Sequence, residues 1–168
     1  VKLATDHDVK IFAIEHAAGM CADLIDWAAP SLRRRSGGDP RQAHSANVND
    51  THPLAEVTAY CLAAANAEWG FPLTVIKFVV LRYRVGQMMG AHRDRDGGAP
   101  PGLKRYAAAS VQLSHDHEYD GGNLICAGEP APRELGTVIC FDADTLHEVT
   151  RVNAGVRWSL VGWAYGPR

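Results

Sequence analysis

Apolar positions recur at helical spacing in the first third of the chain. Ile14, Ala17, Ala18, Cys21, Leu24, Ile25 and Ala28 form one stripe, and Pro30 closes the run. A second helix is predicted to open at Asp50–Thr51, with Pro53 in its first turn, where a missing N–H breaks no helical bond. Leu54, Val57, Tyr60, Cys61, Ala64 and Ala65 make its apolar side, and Gly70 ends it. Between the two helices, Ser31–Asn47 carries Arg33, Arg34 and Arg35 and the turn-forming Gly37-Gly38-Asp39-Pro40. That segment reads as a solvated loop, with capture of a phosphate or an acidic substrate as the alternative.

From Thr74 the period changes to that of strands. Val75, Val79, Leu81 and Tyr83 alternate with Lys77 in a β-branched run. Further short strands are predicted at about 108–113, 122–127, 136–141, 146–152 and 156–164. Asp120-Gly121-Gly122 and Asn153-Ala154-Gly155 have the chemistry of tight hairpin turns, the second pairing Val152 with Val156. Helices followed by closely spaced strands imply an α+β fold. Two antiparallel sheets backed by N-terminal helices would form a jelly-roll or cupin-like core, a double-stranded β-helix. One domain is expected over 1–168, with helical support over about 1–72 and the jelly-roll core over about 73–165.

Composition narrows the function classes. With 46% hydrophobic and 21% charged residues among 168, the chain is neither disordered nor fibrous. A formal charge of −2 lacks the electrostatic footprint of a generic nucleic-acid binder. Lys2, Asp6, Asp8, Lys10 and Glu15 interrupt any apolar signal core, and Leu73–Leu81 is too short to span a bilayer. Cys21, Cys61, Cys126 and Cys140 form no CxxC pair and read as reduced, buried thiols. A cytoplasmic protein without a membrane partner is the expectation.

Eight histidines are the one compositional hint of chemistry. His92 and Asp94 stand two apart, which in an extended segment turns an imidazole and a carboxylate to one face. His147 comes from a different strand, in Thr145-Leu146-His147-Glu148-Val149. Two imidazoles and one carboxylate from separate strands make the facial triad that leaves open positions on Fe(II). Arg157-Trp158-Ser159 follows in an apolar stretch, where a buried charge needs a partner. In the hairpin register, Arg157 lies four strand steps from His147, about 13 Å at 3.3 Å per residue. A five-carbon keto-diacid would bridge that span, its carboxylate on the planar guanidinium fork and on the Ser159 hydroxyl.

With these segments in view, the chain resembles the 2-oxoglutarate/Fe(II)-dependent dioxygenase superfamily, in its prolyl-4-hydroxylase-like branch. Tyr83–Asp94, Val111–Leu124 and His147–Ser159 match in family order, across about half of the chain. The resemblance implies iron on His92, Asp94 and His147, and the distal carboxylate of 2-oxoglutarate on Arg157 with Ser159. It also implies co-substrate contacts for Tyr83 and Leu124, and for Gln112 where relatives often carry an aromatic residue. The implied cofactors are Fe(II), 2-oxoglutarate as co-substrate and O2, with ascorbate as a reductant. The implied reaction is hydroxylation of an unactivated C–H in an amino-acid or peptide-like substrate, with prolyl residues as one candidate, and release of succinate. Retention of Asp94 favours hydroxylation over halogenation.

Other assignments stay open. A nucleic-acid dealkylating oxygenase would use the same iron chemistry, with Arg151 and Arg157 as its arginine pair. A cupin-like metalloenzyme, or a metal-binding module without turnover, would need no Arg157. A small molecule or short peptide is the expected partner. His115 and His117 read as solvent-facing, Asp96 lacks the two-residue relation to His92, and His7, His16, His44 and His52 take no role. Arg84, Arg93 and Arg95 flank the ligand segment as rim charges or as contacts to an anionic substrate group.

Overall fold

The apolar faces of a few long strands decide the architecture. The computed structural model describes residues 9–34, 43–96 and 98–168. In chain order its elements are β1 (Lys10–Ala13), α1 (Ala18–Ala28), β2 (Arg33–Arg34), β3 (His44–Val48), α2 (Pro53–Trp69), β4 (Val75–Arg84) and β5 (Met89–His92). There follow β6 (Leu103–Gln112), β7 (Tyr119–Gly121), β8 (Leu124–Cys126), β9 (Glu129–Pro130), β10 (Thr137–Asp142), β11 (His147–Val149) and β12 (Val152–Pro167). The larger sheet runs β1-β10-β6-β12-β4-β3-β2, with β7 also on β12, and the smaller runs β5-β11-β8-β9. Every strand pair is antiparallel.

Strand alternation gives the larger sheet two different faces. Phe78, Val80, Ala107, Ala109, Val111, Val138, Cys140 and Leu160 point one way and pack with Leu24, Ala28, Leu54 and Leu62 of the helices. Val79, Leu81, Tyr83, Ala108, Ile139 and Phe141 point the other way, toward Leu124, Cys126 and Val149 of the smaller sheet. The three alanines of β6, at 107, 108 and 109, are fully buried, which lets both layers approach the strand closely. The second helix forms as expected. His52 Nδ1 accepts from the Leu54 N–H at 3.2 Å as its N-cap, and Gly70 ends it at φ 72°.

Three expectations are corrected. First, residues 153–155 do not turn a hairpin, because β12 runs through them and pairs with β7. Gly155, at φ 72°, admits the Glu118 carbonyl instead, since an added Cβ would lie 2.0 Å from that oxygen. Arg157 therefore faces Tyr83 on β4, while His147 belongs to the smaller sheet opposite His92. Second, the first third is not helical support alone. β1 joins the larger sheet beside β10, and β3 pairs with β4 from His44 to Val48, all but its last residue within the segment expected as loop. Isolated four- and five-residue strands at or next to a sheet edge carry too little period to announce themselves. Third, Asp94 lies in a single 3-10 turn, Asp94–Asp96, not in an extended segment. Arg35, Gly37-Gly38-Asp39-Pro40, His7 and the Asp96 side chain lie outside what is described.

Candidate active site

The ends of three elements bring His92, Asp94 and His147 together between the sheets. His92 closes β5 and His147 opens β11, and the two face each other in register, with ring centroids 4.2 Å apart. The 3-10 turn after β5 swings Asp94 back toward both rings. One ligand atom from each of the three residues lies within 4.8 Å of the other two. His92 Nε2 is 3.7 Å from Asp94 Oδ1, and His147 Nε2 is 3.9 Å from Oδ2. Nδ1 of His92 faces the Gly90 carbonyl at 2.8 Å, and Nδ1 of His147 faces the Thr145 carbonyl at 3.0 Å. With each Nδ1–H donated to a carbonyl, the lone pair is left on Nε2, aimed at the common point. Burial holds the His147 imidazole below the ordinary histidine value, against the Thr145 carbonyl and Asp94, which favours the neutral ligand form.

Asp94 is supported by residues that motif reading passes over. Arg105 of β6 donates to Asp94 Oδ1 and to its backbone carbonyl, both at 3.1 Å, and Trp163 Nε1 of β12 donates to Oδ2 at 3.0 Å. The Arg105 guanidinium is held by the Tyr165 hydroxyl at 3.0 Å and lies 4.6 Å from the Trp163 ring centroid. Both carboxylate oxygens are thus oriented by fixed donors. The sequence signal was the basic pair Lys104-Arg105 leading into the run Ala107-Ala108-Ala109. Phe141 adds an apolar wall against the His147 ring, at 4.6 Å between centroids.

A cavity of about 270 Å3 opens from the triad and is lined by Tyr83, Leu124, Phe141, Arg157, Ser159 and Trp163, among others. Arg157 is 1% exposed. Its Nη1 donates to Ser159 Oγ at 3.3 Å and its Nη2 to Gln112 Oε1 at 3.1 Å, while Nε has no partner. Gln112 is itself fixed by donating to the Pro132 carbonyl at 3.0 Å. The Tyr83 ring lies 5.6 Å from the guanidinium carbon. Among the described residues no carboxylate pairs with Arg157. A buried guanidinium met only by neutral oxygens is costly without an anion, so the cavity is built to receive one. Two imidazole nitrogens and a carboxylate, with this unmatched cation in the same cavity, fit an Fe(II) ion together with a keto-diacid.

Other sequence candidates fall elsewhere. His115 and His117 are exposed and stack on each other at 5.2 Å, away from the triad. The Arg151 side chain is exposed and donates to the Gly86 carbonyl at 3.1 Å, so it does not join Arg157 in the cavity. Arg95 pairs with Asp144 at 2.8 Å on the surface, and Arg93 lines the cavity while donating to the Asp144 carbonyl. Cys126 lies beside the site, and burial pushes its thiol up to about 12, so it stays protonated. Cys21 and Cys140 are also buried, but Cys61 is only half-buried.

Residues 78–165 match the model of the 2OG-Fe(II) oxygenase superfamily. A PKHD-type hydroxylase of Caulobacter sp. is 31% identical over 163 residues, covering 87% of this chain and 71% of that protein. One from Cupriavidus metallidurans is 29% identical over 129 residues, covering 68% of this chain and 57% of the relative. The chain spans about half the length of several of the curated relatives it matches. Among solved structures, a Pseudomonas putida prolyl-4-hydroxylase superposes with a TM-score of 0.74 at 20% identity, covering 96% of this chain and 94% of that one. A viral collagen prolyl hydroxylase from Paramecium Bursaria Chlorella virus-1, in complex with 2OG, gives 0.72 at 20% identity, covering 95% and 96%. At that identity these two establish a shared fold.

Proposed function

The chain belongs to the 2OG-Fe(II) oxygenase superfamily, and from that premise we propose that it is an Fe(II)- and 2-oxoglutarate-dependent hydroxylase. Its substrate is an amino-acid or peptide-like molecule of prolyl type, oxidised at an unactivated C–H. The observation that carries this reading is Arg157, buried without an acidic partner in the cavity that also holds His92, Asp94 and His147. A cupin-like metal site without a keto-acid gives that cation nothing to do.

When bound, iron and 2-oxoglutarate supply the oxidising chemistry, using O2 and releasing succinate and carbon dioxide. The residues supply geometry. His92 and His147 offer Nε2 because Nδ1 is committed to a carbonyl, and Asp94 offers an oxygen whose direction Arg105 and Trp163 set. Arg157 holds the distal carboxylate, with Ser159 beside it and Gln112 fixing the fork from behind. Tyr83 and Leu124 form the walls that orient the co-substrate, and Phe141 and Val149 keep water from the metal side.

The test is incubation of the iron-loaded protein with 2-oxoglutarate, O2 and a panel of proline-containing peptides and free amino acids. The reading predicts succinate together with a product heavier by one oxygen atom for a prolyl-type member of the panel. Succinate coupled only to other substrates would refute the prolyl assignment, and absence of succinate would refute the hydroxylase assignment.

A further inference from the structure

On the face of the larger sheet turned away from the metal, the strand register assembles a second cluster that hydroxylation does not use. Arg34 of β2 lies opposite His44 of β3, His44 opposite Arg82 of β4, and Arg82 opposite Trp158 of β12. Cross-strand partners share a face about 5 Å apart, so the four residues form one row across four strands. Arg84 stands on the same face two residues past Arg82, about 7 Å along the strand. The neighbouring row is Ala46, Val80 and Leu160, all buried in the helix-covered core. The helices thus cover the apolar rows and stop at the basic one. There Arg34 and Arg84 are exposed, and His44, Arg82 and Trp158 are half-buried.

Arg82 of this row and the neighbouring Arg84 have no answering acid among the described residues. The Arg82 guanidinium lies over the Trp158 ring at 5.7 Å, and no ion pair reaches Arg82 or Arg84 among the described residues. Arg82 Nε and His44 Nδ1 are shielded from solvent yet make no hydrogen bond. Burial, then Arg82, Arg84 and Arg34, holds the His44 imidazole below its ordinary value; burial and Arg84 likewise lower Arg82. Arg82 and Arg84 stand two residues apart on one face of the same strand, about 7 Å, where like charges repel. The cluster stands out further because the whole chain is slightly acidic, with a formal charge of −2.

We propose that Arg82, Arg84 and His44 form an anion site for the phosphate group of a small phosphate-bearing ligand, separate from the co-substrate pocket. A phosphate monoester carries about −1.5 to −2 charges and three strong acceptor oxygens, enough for two guanidinium forks and an imidazole. A single carboxylate would leave one fork unmet. The cluster is one or two strand steps deep, the size of one phosphate group, and is not a stripe that could follow a nucleic-acid backbone. This inference does not depend on the proposed hydroxylase activity.

The test is calorimetric titration of the metal-free full chain with inorganic phosphate, pyrophosphate and glycerol 3-phosphate, in wild type and in Arg84→Gln, His44→Gln and Arg157→Met. The expected result is at least a tenfold loss of affinity in Arg84→Gln and His44→Gln, with Arg157→Met within twofold of wild type. The tightest of the three probes then identifies a free anion or an ester as the source. Loss in Arg157→Met alone would place the anion in the co-substrate pocket and overturn the proposal. Equal weak binding by all four proteins, meaning an adventitious ion only, would also overturn it. A single-stranded oligonucleotide is titrated in the same way, and tighter binding than pyrophosphate that depends on Arg84 would overturn the small ligand in favour of nucleic acid. Thermal melting gives a second readout. Arg84→Gln should melt a few degrees higher than wild type at low ionic strength without ligand, and a lower melting point would contradict uncompensated repulsion between Arg82 and Arg84.

Discussion

Arg105 and Asp94 are the buried ion pair on which the metal ligand depends, and Arg105→Met isolates its contribution. Their side chains are 8% and 7% exposed, and one guanidinium nitrogen serves both Asp94 Oδ1 and the Asp94 carbonyl at 3.1 Å. Methionine retains the apolar stem between Trp163 and Tyr165 but removes every donor. Asp94 then keeps only the Trp163 N–H as a fixed donor among the described residues. Breaking a buried pair by removing one partner costs about 3–5 kcal/mol, and the surviving Trp163 bond places this case near the lower end. For a chain of this length, about 3 kcal/mol lowers Tm by roughly 6–12 °C. A divalent cation on the triad supplies a new counter-charge to Asp94, and by linkage it should reduce the deficit. Urea denaturation of both proteins in EDTA and in excess Mn(II) measures this directly. An equal deficit with and without metal, or less than about 1 kcal/mol in EDTA, would refute the assignment of Arg105 as the partner that holds Asp94.

Four further outcomes follow from the same geometry. Arg157→Met should lose about 100-fold or more in 2-oxoglutarate affinity, an order-of-magnitude figure for a charge-assisted bidentate pair, while its stability without ligand stays level or rises; a comparable loss of stability would show that Arg157 is structural. His52 caps α2 through an unprotonated Nδ1, and its folded pKa lies below the ordinary 6.5 because of burial, so stability should fall as pH drops through about 6.5 and recover above it. Chemical denaturation at pH 5 and pH 7.5 should show that His52→Asn reduces the pH dependence of stability by about 1 kcal/mol. Gly155→Ala, placing a Cβ against the Glu118 carbonyl at positive φ, should cost about 2 kcal/mol or more, read as a shifted urea midpoint. Iodoacetamide at pH 8 should leave Cys21 and Cys126 unmodified in the native protein, since burial pushes their thiols up to about 11 and 12; rapid labelling by mass spectrometry would contradict their placement.

The site was legible in the sequence where chemistry concentrates in order and spacing. His92, Asp94, His147 and Arg157 could be read as partners from residue type together with order and spacing, because two imidazoles, a carboxylate and an arginine so arranged in apolar runs have few other uses. The route by which the chain brings them together was not legible. Asn153-Ala154-Gly155 has the residues of a hairpin turn, yet a glycine at positive φ also admits a close neighbouring backbone, and only the presence of β7 decides between the two. Arg105 and Trp163 escaped because a single arginine and a single tryptophan in buried strands carry no motif, and their meaning appears only when β6 and β12 lie side by side. His44 is similar. It is unremarkable by sequence, and register alone sets it between Arg34 and Arg82.

The central claim is that the cavity holding His92, Asp94, His147 and Arg157 turns over 2-oxoglutarate at iron. The most direct measurement is succinate formation after the metal-free protein is loaded anaerobically with Fe(II) and 2-oxoglutarate and then exposed to O2. Folding of each variant is checked by circular dichroism. The account predicts succinate from wild type and none above background from His147→Ala or Asp94→Ala. Folded, iron-loaded wild type that yields no succinate, or an Asp94→Ala variant that yields as much, would contradict it.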